Sequence, residues 1–78
     1  MAKGQSGVVT PREIAAMLSE YSVNLAGLPD RDKEIIALHA IYVPAPRIAD
    51  MLGVDGSVVS STIIHYGDVV RDVRSEEH

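Results

Sequence analysis

The sequence predicts a small all-α domain, with a trihelical core at residues 29–66 preceded by an N-terminal helix. Three observations carry that reading. Helix-start chemistry recurs at Thr10-Pro11, Leu28-Pro29-Asp30, Pro46 and Asp55. Between those points apolar residues return at intervals of three and four, the spacing of one helical face. The chain of 78 residues is a single domain, with room for three or four helices and little more.

Composition limits the chemistry. With no Cys, Trp or Phe, the chain has no disulfide framework, thiolate metal site or catalytic thiol, and its core must be aliphatic. Tyr21, Tyr42 and Tyr66 are the large rings. The formal charge of −4 is opposite in sign to that of a typical free-standing nucleic-acid binder, whose affinity comes largely from contacts to phosphate. The opening MAKGQSGVV contains one Lys and no apolar run of secretory length, and nowhere do about eighteen apolar residues follow one another. The sequence therefore reads as a soluble, cytoplasmic protein without a membrane segment.

Residues 1–8 read as a flexible arm, with Lys3 its side-chain charge. Thr10-Pro11-Arg12-Glu13 supplies an N-cap, a proline at the first helical position and the glutamate of a capping box. Ile14, Met17, Leu18 and Tyr21 form the apolar stripe of this first helix, which ends near Ser22. The second helix starts at Pro29-Asp30, where Asp30, Asp32 and Glu34 complement the positive end of the helix dipole, and runs to about Ile41. Its DRDKE run is a solvated face. Pro44 and Pro46 close the helix, and a third runs from Pro46 to Leu52, with Ile48, Ala49 and Leu52 inward and Gly53 able to end it in the left-handed conformation.

Asp55 is placed to cap the final helix with its side chain. Val59, Ile63, Tyr66, Val70 and Val73 then form one apolar seam in steps of four and three. VVSSTII could pass for a strand by its β-branched content, but a lone strand would have no partner, so helix is the reading. Gly67 is the point where this helix bends or breaks, and residues 75–78 form a frayed tail. Val70 and Val73 lie roughly 15–20 Å beyond the start of the seam at 1.5 Å per residue. Tyr66, Val69, Val70 and Val73 are accordingly expected to pair with the same patch of a second chain in a homodimer.

The stretch from Leu28 to Tyr66 resembles the helix-turn-helix of sigma-factor region 4 and of LuxR-type response regulators. LPDRDKEIIAL looks like the leucine-proline opening of their first helix, and IADMLGV like their core signature, with Ile48, Ala49, Leu52, Gly53, Val54 and Val59 matching position by position. A hydrophobic residue is usual where Thr62 stands, which suggests a slightly rotated second helix with Ile63 taking the inward place. The resemblance implies DNA contact by Arg47, Gly56, Ser57, Ser60, Ser61 and His65, with Asp55 and Ile64 on the same side and Lys3 of the arm against the backbone. Serines lack the bidentate fork with which Arg or Asn reads a base.

Two functions stay open from the sequence. One is a small DNA-binding transcriptional regulator, or a phage- or plasmid-type DNA-binding protein, acting on double-stranded DNA as a dimer. The other is a protein-interaction module of the same shape that docks on a polymerase subunit or a packaging complex without reading DNA. Nothing points to an enzyme. His39, His65 and His78 have no partners in a catalytic or metal-binding pattern, the serines have no companion His and carboxylate, and no glycine cluster forms a phosphate loop, so no cofactor and no metal is expected.

Overall fold

A capping box at Thr10 opens the first of six helices in the computed structural model, which describes residues 10–75. The helices are α1 (Pro11–Ser19), α2 (Val23–Ala26), α3 (Asp30–Ala40), α4 (Ala45–Leu52), α5 (Gly56–His65) and α6 (Gly67–Ser75), with no strand among the described residues. The expected arm, with Lys3, and His78 of the expected frayed tail lie outside those residues. At the start of α1 the Thr10 hydroxyl accepts from the Glu13 amide at 3.2 Å, and the Glu13 carboxylate accepts from the Thr10 amide at 3.0 Å. The helix is shorter than its apolar stripe suggested. Met17 and Tyr21 are exposed, and the inward face is Ile14, Ala15 and Leu18. Ser22, whose hydroxyl accepts from the Leu25 amide at 3.1 Å, caps a separate four-residue helix, α2, that buries Leu25 completely.

α3 is the central element. Ile35, Ile36, Ala37, Leu38 and Ala40 are all buried, and they divide between two apolar clusters. Ile36, Ala37 and Ala40 join Ala15 of α1, Leu25 of α2 and Val70 and Val73 of α6. Ile35 and Leu38 join Ile48 of α4 and Val59 of α5, with Ala49, Leu52 and Ile63 packed around them.

Three expectations are corrected here. First, Asp55 makes no side-chain cap; its carbonyl accepts the Val58 and Val59 amides at 3.0 and 3.3 Å and so begins α5 by backbone alone. Second, Thr62 stays inward at 8% exposure, and Ile63 packs half-buried beside it, so α5 is not rotated to replace the threonine. The last helix breaks at Gly67, where the sequence expected it to bend or break, and so forms two helices. α5 ends on Tyr66, and α6 restarts at Gly67 with the Val69 and Val70 amides donating to the Tyr66 carbonyl at 3.0 and 3.2 Å.

The third correction follows from that break. Turned back at Gly67, α6 lies against α3, and Val70 and Val73 are only 6% and 2% exposed. Tyr66 and Val69 are half-buried against the same cluster. The patch expected to pair two chains is therefore part of the monomer's own core. Polar ties fix the C-terminal half of α6: Ser22 donates to the Asp72 carboxylate at 2.6 Å, and Arg74 donates to the His39 carbonyl at 2.9 Å and the Ala40 carbonyl at 3.3 Å. The Arg74 guanidinium also lies 4.3 Å from the centre of the Tyr42 ring.

Two predictions follow. Val70→Glu puts an unpaired carboxylate into the core and should cost more than about 3 kcal/mol in urea denaturation, rather than merely dissociate a dimer; a variant as stable as the parent would mean that α6 is not docked. The second concerns His39. Burial, and next the neighbouring Arg74 charge, hold its pKa below the ordinary 6.5. The unfolded chain then takes up the proton first, so stability is full above pH 6.5 and declines as pH falls through the lowered folded value. Thermal melts from neutral to mildly acid pH should show this decline, and His39→Asn should flatten it.

Candidate nucleic-acid interface

Ile48 anchors α4 in the core and Val59 anchors α5, and Gly53 sets the turn between them. Gly53 has φ 67°, and the Val54 amide donates across it to the Ala49 carbonyl at 3.0 Å. With Val59 and Thr62 inward and Val58 and Ile63 half-buried, helical geometry leaves Ser57, Ser60, Ser61, Ile64 and His65 within an outward arc of about 140° at 3.6 residues per turn. All five are exposed, as is Gly56 at the helix start.

The chemistry of this face is unusual for the chain. Although 23% of all residues are charged, the ten residues of α5 include no Asp, Glu, Lys or Arg. Among the described residues the hydroxyls of Ser19, Ser22 and Ser75 are tied into hydrogen bonds, while those of Ser57, Ser60 and Ser61 are not. His65 is held edge-on against Tyr66, with ring centres 4.6 Å apart and planes at 88°. A bound group would thus meet three free hydroxyls, one aliphatic side chain and one imidazole.

Ser57, Ser61 and His65 line an open groove whose other wall is Arg31 and Asp32 in the first turn of α3. Arg31 is the residue that sequence reasoning passed over, because it lies within the DRDKE run. Its neighbourhood with α5 depends on how α3 and α5 pack, and no local signal reports that. Arg47 does not share this groove; it lines a second one with Pro44, Pro46, Asp50 and Gly53. The two arginines therefore lie in separate grooves. Arg71 and Asp68, 3.7 Å apart, form the one ion pair among the described residues, which leaves both Arg31 and Arg47 without a carboxylate partner.

Of the other residues singled out by sequence, Tyr66, Val69, Val70 and Val73 belong to the core, and Lys3 lies outside the described residues. Among the described residues no three His, Asp or Glu side chains converge as a metal site, and no helix is long and apolar enough to cross a membrane. Comparison of the chain with known protein families, characterised proteins and solved structures finds no match.

The turn gives a stability test of the geometry that aims α5. A Cβ added at Gly53 would meet nothing within 4 Å, so any cost of Gly53→Ala comes from its left-handed backbone alone. The expected loss is about 1–2 kcal/mol by chemical denaturation, with Gly53→Asn losing less. No loss in the alanine variant would show that the turn does not need the left-handed conformation.

Proposed function

We propose that the protein contacts double-stranded DNA through the exposed face of α5, with α4, the Gly53 turn and α5 acting as a helix-turn-helix, and that it serves as a small DNA-binding regulator of transcription or a phage- or plasmid-type DNA-binding protein. The observation that supports this best is the absence of carboxylates from α5. An acidic chain repels a polyphosphate least where its own negative charge is sparse, and among the described residues α5 is the longest helix with none, although Asp55 precedes it and Asp32 lines its groove. Hydroxyls at Ser57, Ser60 and Ser61 can donate to phosphate or to either kind of base edge, and Arg31 and Arg47 supply cations in two separate grooves. Binding by such a face is modest in strength and weakly selective, because few charges are neutralised and α5 itself carries no bidentate fork.

Ile64 and the net charge of −4 favour a second reading, in which the same face docks on a protein of a transcription or packaging assembly. Salt separates the two. Two or three phosphate contacts predict that affinity for mixed-sequence duplex falls on the order of ten- to fortyfold between 50 and 200 mM salt. Arg31→Ala and Arg47→Ala should each flatten the logarithmic salt slope by about one, and changing Ser57, Ser60 and Ser61 together to Glu should abolish binding. Absence of any salt-sensitive complex in a mobility-shift titration would discard DNA contact in favour of docking.

A further inference from the structure

Ile64 stands 81% exposed on the outward face of α5, one turn beyond Ser60 and Ser61. Single exposed aliphatic residues are common on protein surfaces and by themselves need no explanation. This one differs by its company. It is the one large apolar side chain in an arc that otherwise carries hydroxyls and an imidazole, on a ten-residue helix without an Asp, Glu, Lys or Arg. Resting on the DNA-contacting reading of α5, we infer that Ile64 is the specificity-determining residue of that face and that it selects thymine through its 5-methyl group.

Each base pair presents hydrogen-bonding groups to the major groove, and thymine alone among the four bases adds an apolar one. The serines discriminate poorly there, since a hydroxyl both donates and accepts and rotates to suit. Isoleucine can do neither. Against the amino group of cytosine or adenine, or the acceptor edge of guanine, it strips water and returns no hydrogen bond. Against the thymine methyl it replaces water on two apolar surfaces at once, so the gain exists at one base only. Reach is adequate. Ser57 to Ile64 spans seven residues, roughly 10 Å at 1.5 Å per residue, and a helix following a groove about 12 Å wide keeps both ends within it.

The experiment removes the methyl and nothing else. Full-length protein is titrated into an alternating dA-dT duplex and into the same duplex with deoxyuridine in place of thymidine, with fluorescence anisotropy as the readout at one low and one moderate salt concentration. The parent protein should bind the deoxyuridine duplex about fourfold more weakly, the value of one buried methyl. Ile64→Ala should bind both duplexes equally, at the weaker level, with an unchanged thermal transition because the side chain lies outside the core. Equal affinity of the parent for the two duplexes overturns the assignment to Ile64 and leaves DNA contact by α5 standing. A methyl preference retained in Ile64→Ala also overturns it and moves the contact elsewhere on the protein. Failure to bind either duplex at low salt removes the DNA-contacting reading, and the thymine assignment with it.

Discussion

The burial of α3 on opposite sides at once is the constraint on which the rest of the domain depends. Ile35 and Leu38 face one apolar cluster and Ile36, Ala37 and Ala40 the other. A helix with water on either side would expose part of that surface, so both sets of partners are required. α4 and α5 cover one side, and α1, α2 and α6 the other. The small residues matter as much as the large ones: Ala15, Ala37 and Ala40 let α1 and α6 approach α3 closely enough for Leu25, Val70 and Val73 to fill the space between them. The face of α5 that points outward is set by the same packing, because Val59, Thr62 and Ile63 are committed to the α3 side.

What was legible in the sequence has short-range causes. The Thr10 capping box, the proline before α3, the prolines around Ala45 and the left-handed Gly53 each act within one helical turn, and each element boundary they mark lies close to its expected place. α2 escaped notice because four residues are too few to show a period. The direction of α6 escaped for a different reason. Gly67 announces a weak point, but whether the chain continues straight or folds back depends on the surface offered by α1, α2 and α3, tens of residues earlier. A seam of valines looks the same in sequence whether a second chain or the chain's own core covers it.

The candidate site divides along the same line. The resemblance implied that Ser57, Ser60, Ser61 and His65 share one outward face, and the helical repeat alone is enough to bring them together. It could not join Arg31 to Ser57, nor place Arg47 in a different groove from His65, because those relations belong to the packing of α3, α4 and α5. Thr62 shows how far a pattern can mislead. A hydroxyl in a hydrophobic place suggested that the helix had turned, yet a branched side chain of that size fills the position and leaves its neighbours where the pattern puts them.

The end of α3 shows how α6 became part of the core rather than an appendage. α3 and α4 finish in the same way: the Val43 amide reaches back to the Leu38 carbonyl at 3.0 Å, as Val54 reaches back to Ala49. α4 has glycine at the left-handed position, but α3 has Tyr42, with φ 71°. A side chain there costs on the order of 1–2 kcal/mol, and the chain needs something to hold it. Arg74 supplies that. It donates to the Ala40 carbonyl, which the helix end would otherwise leave short of a partner, and to the His39 carbonyl, which also accepts from the Tyr42 amide, and its guanidinium lies over the Tyr42 ring. The strained terminus of α3 and the docking of α6 thus stabilise each other, and glycine at position 42 would relieve the strain while removing the ring on which Arg74 rests.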